Sequence, residues 1–323
     1  MIELLDLNVF ERYPKVYGGN AGRKICILDD DNRPWMVKYP EPTRGMRGDV
    51  ASYTTSPLSE YLGSHIYELA GIDVHNTVLG FRDGRVVVAC EDFTHPDRSL
   101  LTFHDLKNSI SDDLAADYVT RPSDGRSVYL SDVLTAIDSI SADFGVTGML
   151  ERFWDMFVMD TLIGNADRNN ENWGLLTSRD ESFVLAPVYD NGNAFFNKRR
   201  DLTMEQRLAD EEALKHDAMS AARTCFLRDD GHHISPLKYI SSGIDLGCTA
   251  AVRRLVDTLD LHKVNELIDE LPEETLSYVV MPRKVKEFHK EVLRRRFEEV
   301  LVPTAKAHRH PVSLSAATRS RRA

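Results

Sequence analysis

The sequence predicts an α+β protein in which a small, strand-rich N-terminal lobe precedes a larger, mainly helical lobe. Short apolar stretches and an Asp83-Gly84 turn signal, which is typical of β-hairpins, lie before residue 94. Apolar residues at helical spacing dominate after it. We therefore expect lobes over residues 1–93 and 94–302, followed by a flexible basic tail over residues 303–323 that does not join the core.

The composition excludes several classes of protein. The 323 residues include 51 acidic and 40 basic side chains, a net charge of −11, whereas general nucleic-acid binding favours a basic face. No apolar run approaches the roughly 18 residues of a membrane span, and the N-terminus lacks the basic and apolar regions of a signal peptide. The four cysteines are far apart and form no C-x-x-C pair, which disfavours a zinc site. We expect reduced thiols in a cytoplasmic protein, with secretion without a signal peptide left open.

The first strands are predicted over residues 24–28 (K-I-C-I-L) and 34–39 (P-W-M-V-K-Y), with a polar turn between them. A glycine-rich loop containing Gly18, Gly19 and Gly22 precedes them. Such a loop can lie over nucleotide phosphates, because glycine lets backbone N–H groups approach the phosphate oxygens. No G-K-[ST] follows, so the loop is not a Walker P-loop, and a plain hairpin turn is the alternative.

Lys38 lies near the end of the second strand, where period-two alternation places it on one face with Met36. A helix is predicted over residues 59–70 from apolar residues at helical spacing. Glu60 and Glu68 on this helix are the available partners for Lys38. The alternatives are a solvent-exposed lysine at a strand end and a glutamate favoured by the helix dipole.

Strands over residues 77–81 and 85–93 are predicted to form a hairpin around Asp83-Gly84, and the apolar pattern of the second strand ends at Glu91. A short polar connector, residues 94–99, then leads into the helical lobe. The helices of that lobe are predicted over residues 101–119, 127–140, 148–163, 202–226, 250–259, 262–271 and 283–302.

The most informative stretch follows the most apolar of these helices. Residues 162–176 read L-I-G-N-A-D-R-N-N-E-N-W-G-L-L, in which Asn172 lies five residues after Asp167. A hairpin is predicted over residues 173–188, and Asp190 follows it in V-Y-D-N-G. Because a hairpin brings its two ends together, we expect Asn172 and Asp190 to reach one metal ion.

Asp, Asn and a second Asp are the groups that phosphoryl transfer needs, because the reaction depends on positioning and charge neutralisation. One carboxylate, Asp167, would orient the attacking hydroxyl and accept its proton. The amide oxygen of Asn172 and the carboxylate of Asp190 would hold Mg²⁺ against the phosphates. The gap between Asp167 and Asn172 equals that of a protein-kinase catalytic loop. The alternative is an ordinary loop, since Asn, Asp and Gly are common turn residues.

This loop and the L-A-P-V-Y-D-N-G segment after it resemble those of HipA-like bacterial serine/threonine kinases, including the short CtkA-type members. The loop of that family reads roughly L-x-G-N-x-D-x-H-x-x-N. The resemblance implies a bilobal, protein-kinase-like fold that binds ATP and Mg²⁺. It implies Asp167 as the catalytic carboxylate, with Asn172 and Asp190 as metal ligands. It also favours Glu60 as the partner of Lys38, which would contact the ATP phosphates beneath the glycine-rich loop.

In such a fold, the strand that ends at Glu91 leads to the junction of the lobes, where adenine binds. Glu91 and Phe93 are therefore candidate nucleotide-binding residues by position, with a simple strand end as the alternative. Two positions depart from the family, because Asn169 replaces its His and Glu171 replaces the Lys that often precedes the metal-binding Asn. The D-R-N-N-E-N-W segment is also similar to the loop of phosphatidylinositol 3- and 4-kinases.

Three hypotheses follow. The first is an ATP- and Mg²⁺-dependent serine/threonine protein kinase, able to phosphorylate itself, with a protein substrate and an antitoxin-like regulatory partner. The second changes the acceptor to a phosphoinositide or another small molecule. The third is a non-catalytic pseudokinase or a toxin–antitoxin-type binding protein, which the departures at Asn169 and Glu171 would permit. Retention of the catalytic and metal-binding residue types favours the first hypothesis.

Overall fold

The computed structural model describes residues 2–18, 22–94, 97–109, 127–180, 182–276 and 278–308. Six strands near the N-terminus form one sheet: β1 Leu5–Asp6, β2 Arg12–Tyr13, β3 Lys24–Leu28, β4 Pro34–Lys38, β5 Thr77–Arg82 and β6 Arg85–Glu91. Their order is β1-β5-β6-β4-β3-β2, and every neighbouring pair is antiparallel except β1–β5. The helix α1, Ser56–Leu69, follows β4 in the chain.

The sheet buries apolar side chains on both faces, as alternation along β6 requires. Val87 and Ala89 belong to a cluster with Ile25 and Val37 of the neighbouring strands. Val88 and Cys90, the alternate residues of β6, belong to the main core with Leu62 and Ile66 of α1. The helix therefore covers one face of the sheet, and Glu60 of α1 reaches Lys38 on β4.

The local predictions for this lobe are largely confirmed. Asp83 and Gly84 both have positive φ angles, 50° and 70°, which is the geometry of a tight hairpin turn. The helix begins at Ser56 instead of residue 59, because Pro57 occupies its first turn, where proline is well tolerated. All four cysteines are free and buried, as expected for reduced thiols: Cys26, Cys90, Cys225 and Cys248.

The rest of the chain is mainly helical. Its helices are α2 Phe103–Ser109, α3 Leu130–Phe144, α4 Met149–Ile163, α5 Asp201–Leu208, α6 Glu211–Met219, α7 Pro236–Ser242, α8 Leu246–Thr258, α9 Leu261–Glu270, α10 Arg283–Arg296 and α11 Val302–Ala307. A π-helical turn, Phe297–Leu301, joins the last two. Helix α4 lies at the centre, with the rings of Phe153, Trp154 and Phe157 buried. No helix in these described ranges is long and apolar enough to cross a membrane.

Short strands complete the structure: β7 Arg98–Thr102, β8 Val128–Tyr129, β9 Gly174–Ser178, β10 Phe183–Leu185, β11 Phe226–Leu227, β12 Glu274–Thr275 and β13 Tyr278–Val279. The hairpin predicted over residues 173–188 is present as β9 and β10. The connector and the helix predicted over residues 94–119 need correction, because residues 98–102 pair with β9 as a third strand and the helix begins at Phe103. The rest of that predicted helix lies outside the described residues.

Two further predictions differ from the structure. The single helix predicted over residues 202–226 is divided into α5 and α6, because the side chain of Asp210 accepts a hydrogen bond from the N–H of Ala213 and starts a new helix. The tail was expected to leave the core at residue 303, yet α11 continues to Ala307 and buries Thr304 and Ala305. Residues 309–323 lie outside the described part of the chain.

The burial of α11 predicts that Ala305→Asp destabilises the protein by at least about 2 kcal/mol, since a carboxylate would enter the core without a partner. Ala307→Asp is the matched control, because Ala307 is exposed two residues further along. Denaturant unfolding of both variants measures the difference. Equal stability would show that residues after 303 lie outside the core, as the sequence had suggested.

Candidate active site

Lys38, at the end of β4, connects the sheet to two acidic residues from different parts of the chain. Its Nζ lies 2.8 Å from Oε2 of Glu60 on α1 and 2.9 Å from Oδ1 of Asp190. Burial alone would lower the pKa of Lys38, but Asp190 and Glu60 raise that pKa well above its usual value. Glu68, the other partner considered, instead pairs with His65 on the exposed side of α1. The contact expected between Lys38 and Glu60 is therefore present.

Glu60 is fully buried, and both of its carboxylate oxygens accept hydrogen bonds. Oε2 binds Lys38, while Oε1 lies 3.0 Å from Nε2 of His75 and accepts the backbone N–H of Asn191 at 3.0 Å. Burial alone would raise the pKa of Glu60, but Lys38 and His75 hold that pKa far below its usual value. The carboxylate is thus ionised and ties α1 to the residue that follows Asp190.

Two glycines permit this close approach of α1 to the loop after β10. A Cβ atom added to Gly63 would lie 2.7 Å from Cβ of Asn191, which is closer than real contacts allow. A Cβ atom added to Gly192 would lie 3.2 Å from Oε2 of Glu60. The absence of side chains at Gly63 and Gly192 therefore lets the loop approach α1, which places Asp190 beside Lys38. Asp190 itself has a left-handed φ of 61°.

Arg168 organises the loop that carries Asp167 and Asn172, a role that the sequence did not indicate. Its guanidinium group is buried and has five N–H donors, and each finds an acceptor. Nε and Nη2 bind the carboxylate of Asp160 at 2.8 and 3.1 Å, and Nη2 also binds Oδ1 of Asn191 at 2.6 Å. Nη1 donates to the backbone carbonyls of Asn172, at 2.9 Å, and Tyr189. One side chain therefore holds the backbone beside both predicted metal ligands, Asn172 and Asp190.

Asp160 on α4 is the acidic partner of Arg168 and was also missed. Besides Arg168 it accepts hydrogen bonds from Tyr67 on α1, at 2.8 Å, and from the side-chain amide of Asn165, at 3.0 Å. A signal was present in the sequence, because Asp160 lies three residues after the buried Phe157 in an apolar helix. A carboxylate on the core side of such a helix requires a buried partner.

Hydrogen bonds within residues 167–172 orient the side chains of Asp167 and Asn172. Oδ1 of Asp167 accepts a hydrogen bond from the side-chain amide of Asn169 at 3.0 Å, and Asp167 is partly exposed. The amide nitrogen of Asn172 donates to the carbonyl of Asp167 at 2.6 Å. The amide oxygen of Asn172 is thus the atom that remains for a metal, and Asn169, a departure from the family pattern, supports the carboxylate.

Of the two residues predicted to lie beside adenine, Phe93 and Glu91, only Phe93 contacts the segment that carries Asp190. Phe93 packs against Tyr189, with ring centroids 5.6 Å apart, and so lies beside the residue that precedes Asp190. The side chain of Glu91 instead accepts a hydrogen bond from Asn76. Phe93 therefore contacts the residue before Asp190, whereas the Glu91 carboxylate binds Asn76.

The glycine-rich loop is described only at its ends. Nζ of Lys24 binds the carbonyl of Gly18 at 3.2 Å, and Lys24 faces Lys38 across the β3–β4 ladder. Gly22 has a left-handed φ of 58°, whereas Gly19 lies outside the described residues. Burial and the neighbouring Lys38 lower the pKa of Lys24, a second cation that the sequence analysis did not single out.

Comparison with known proteins places this chain in a family. The profile of the HipA-like C-terminal domain matches residues 16–242. The chain belongs to the HipA-like family. It is 31% identical over 298 residues to the serine/threonine-protein kinase CtkA of Helicobacter pylori, covering 91% of this chain and 84% of that protein. The expected resemblance and the expected enzyme class, a HipA-like serine/threonine protein kinase, are confirmed.

Solved structures support the fold of this HipA-like kinase. The crystal structure of the H. pylori proinflammatory kinase CtkA matches with a TM-score of 0.79 and 27% identity, over 94% of this chain and 98% of that one. HipA of Shewanella oneidensis, solved with HipB and its operator DNA, matches with a TM-score of 0.53 and 11% identity, over 94% and 70% of the two chains. The predicted α+β, protein-kinase-like fold is therefore confirmed.

The contacts of Arg168 predict that Arg168→Lys lowers the free energy of unfolding by roughly 3–5 kcal/mol, because an ammonium group cannot reach five acceptors and leaves Asp160 poorly paired. Arg254→Lys is a suitable control, since Arg254 pairs with Asp155 at 2.7 Å but is partly exposed. Urea unfolding of both variants measures the difference. A loss no larger than that of the control would contradict the organising role of Arg168.

Proposed function

We propose that this HipA-like kinase transfers the γ-phosphoryl group of ATP, with Mg²⁺, to a serine or threonine hydroxyl of a protein. The observation that carries the proposal is the arrangement around Arg168 and Lys38. Arg168 holds the backbone at Asn172 and Tyr189, and Lys38 holds Asp190 against Glu60. Residues far apart in the sequence thereby supply one carboxylate, one amide and one ammonium group to a common region.

The residues fit a magnesium ion by the chemistry of their donor atoms. Asn172 offers an amide oxygen, since its nitrogen is already used, and the side chain of Asp190 is 39% exposed with one oxygen on Lys38. Mg²⁺ prefers oxygen ligands and takes few of them from protein, leaving room for phosphates and water. When bound, the ion neutralises charge on the β- and γ-phosphates. We assign its protein ligands to Asn172 and Asp190.

Asp167 is proposed as the catalytic carboxylate. Its partial exposure leaves it open to an acceptor hydroxyl, and the hydrogen bond from Asn169 keeps its orientation. A carboxylate in this position orients the hydroxyl and can accept its proton at Oδ. The same geometry would serve any hydroxyl acceptor, and the kinship with a protein kinase is what supports a protein substrate.

Lys38 is proposed to bind the ATP phosphates. Two of the three donors of its ammonium group are used by Glu60 and Asp190, so one remains for a phosphate oxygen. The loop with Gly18, Gly19 and Gly22 would cover the phosphates. Phe93 and the backbone near Glu91 would lie beside the adenine at the junction of a 1–93 lobe and a second lobe, and these roles rest on position.

Partners and location are proposals of the same kind. The HipA–HipB toxin–antitoxin complex motivates the proposal of an antitoxin-like regulatory partner, and the sequence resemblance to HipA-like kinases motivates that of autophosphorylation. Four free, buried thiols are consistent with a reducing compartment such as the cytoplasm. Co-purification with the product of a neighbouring gene, and mass mapping of phosphate on the chain after incubation with ATP, would test these two expectations.

Replacing the catalytic carboxylate separates chemistry from binding. Asp167→Asn should lower kcat by about 10²–10⁴-fold while nucleotide affinity changes little, because the amide cannot accept the proton. Asp180→Asn, at the exposed turn of the β9–β10 hairpin, is the control. Transfer of radiolabel from ATP to a generic protein substrate measures the rate. Unchanged transfer would refute the role of Asp167, and label on phosphoinositides but not on protein would refute the acceptor.

Replacing the second carboxylate tests the metal assignment. Asp190→Asn should remove most of the Mg²⁺-dependent part of ATP affinity, because a neutral amide is a weaker ligand for a hard cation. Calorimetric titration with ATP, with and without Mg²⁺, measures that difference. Asp201→Asn, at the start of α5, is the control. If Asp190→Asn kept the full effect of Mg²⁺, the ion would have to bind elsewhere.

A further inference from the structure

A second group of potential ligands lies behind Lys38, away from the proposed magnesium ligands in sequence and in chemistry. It consists of Glu60 on α1, His75 just before β5 and Cys90 on β6, all buried. Within the described part of the chain, these three side chains could share one ion, because their ligand atoms all lie within 4.8 Å of one another.

We propose that Glu60, His75 and Cys90 form a zinc-binding site, and that zinc binding inactivates the kinase by removing Glu60 from Lys38. Thiolate, imidazole and carboxylate are the three ligand types that zinc accepts in proteins. A thiolate and an imidazole select against Mg²⁺, which prefers oxygen ligands. The two ion sites would therefore not compete for the same metal.

The existing distances need little adjustment. Tetrahedral zinc with ordinary bond lengths separates its ligand atoms by about 3.3–3.8 Å. Nε2 of His75 already lies 3.0 Å from Oε1 of Glu60, and the thiol of Cys90 lies within 4.8 Å of both. Small side-chain rotations would bring the three atoms onto one ion, and a water molecule would complete four-coordination.

The charges also balance. Lys38, Glu60 and Asp190 together carry one negative charge around a neutral thiol. Zinc adds two positive charges, and the thiol of Cys90 releases its proton to solvent as it becomes a ligand, so the buried group becomes neutral. The proton on Nε2 of His75, which now faces Glu60, would move to Nδ1 so that Nε2 can bind the metal. A neutral cluster is the form that a buried site tolerates best.

A cavity reaches one of the three proposed ligands, His75. A cavity of ≈ 460 Å³ lies between α1 and the segment that leads into β5. Its lining includes Ser64, His65, His75, Asn76 and Thr77. The ion would meet His75 from this side of α1, since the cavity reaches that residue but is not lined by Glu60 or Cys90.

The consequence for activity follows from the bonds that Glu60 makes now. Oε2 of Glu60 holds Lys38, and Oε1 accepts the N–H of Asn191, next to Asp190. A zinc ion on this carboxylate would weaken both contacts, and Lys38 would turn to Asp190 alone. This step rests on the proposed role of Lys38 in ATP binding, whereas the site itself does not.

Cobalt tests the site independently of catalysis. Titration of the metal-free protein with Co²⁺ should show one equivalent bound and a thiolate-to-cobalt charge-transfer band in the near ultraviolet. Cys90→Ser should lose the band and weaken Co²⁺ binding by more than about 100-fold, the upper limit for changes in outer-shell partners. Cys248→Ser, at another buried free thiol, should keep both. No band in the wild type, or an equal band in Cys90→Ser, would overturn the site.

His75→Gln gives a second test should Cys90→Ser fail to fold. It should weaken Co²⁺ binding at least tenfold while leaving a thiolate band at saturation, because two ligands remain. An unchanged affinity would overturn the assignment of His75 as a ligand.

The regulatory step is tested by nucleotide binding. One equivalent of Zn²⁺ should weaken the binding of a fluorescent ATP analogue at least tenfold in the wild type and in Cys248→Ser, but not in Cys90→Ser. Occupied zinc with unchanged nucleotide affinity would overturn the switch. If the zinc-free protein with Mg²⁺ bound no nucleotide at all, the proposed ATP site would be wrong, and the cobalt spectrum would still decide the zinc site.

Discussion

The guanidinium group of Arg168 is the contact on which the rest of the site depends. Burying an arginine is costly unless its charge is paired and every N–H is bonded. Asp160 supplies the charge, and Asn191 and two backbone carbonyls complete the set of acceptors. Because these acceptors belong to α4, to the catalytic loop and to the loop after β10, satisfying one side chain sets the relative positions of all three.

A continuous polar path extends from Arg168 to the sheet. Asn191 binds Arg168 through its side chain and Glu60 through its backbone, and Glu60 binds Lys38 on β4. The position of α1 therefore governs both the ammonium group and the loop that carries Asp190. Glu60 makes two contacts of this path, with Lys38 and with the N–H of Asn191. A metal bound to its carboxylate would therefore weaken both contacts without touching the proposed magnesium ligands.

A second buried arginine also holds the C-terminal end of α4. Arg296 of α10 donates to the carbonyl of Leu162 at 2.9 Å and to the carbonyls of Asp217 and Ala218 on α6 at 3.1 and 2.9 Å. Burial lowers the pKa of Arg296 to about 10, and its hydrogen bonds go to backbone carbonyls. Its positive group lies at the C-terminus of α4, where the helix dipole favours a cation. The end of the helix that precedes Asp167 is thus held by Arg168 at Asp160 and by Arg296 at Leu162.

The sequence by itself determined the elements that depend on neighbouring residues. The strands around Lys38, the Asp83-Gly84 hairpin, helix α4 and the spacing of Asp167 and Asn172 follow from local patterns, which tertiary contacts seldom reverse when they are strong. The kinase class was predicted from residues 162–176, because Asp167 and Asn172 lie close together in one loop.

Tertiary structure decided what depends on residues far apart. Residue patterns left Glu60 and Glu68 open as partners of Lys38 and only the family resemblance favoured Glu60, whereas the packing of α1 on the sheet places Glu60 on the buried face beside Lys38. The partners of Arg168, the pairing of residues 98–102 with β9 and the burial of Ala305 are likewise contacts between distant segments. Cysteine spacing argued against zinc, yet the fold gathers one cysteine with a histidine and a glutamate. The spacing of residues in the sequence determines only local geometry. The distances between helices and strands that are far apart in the sequence are determined by how these elements pack in the core.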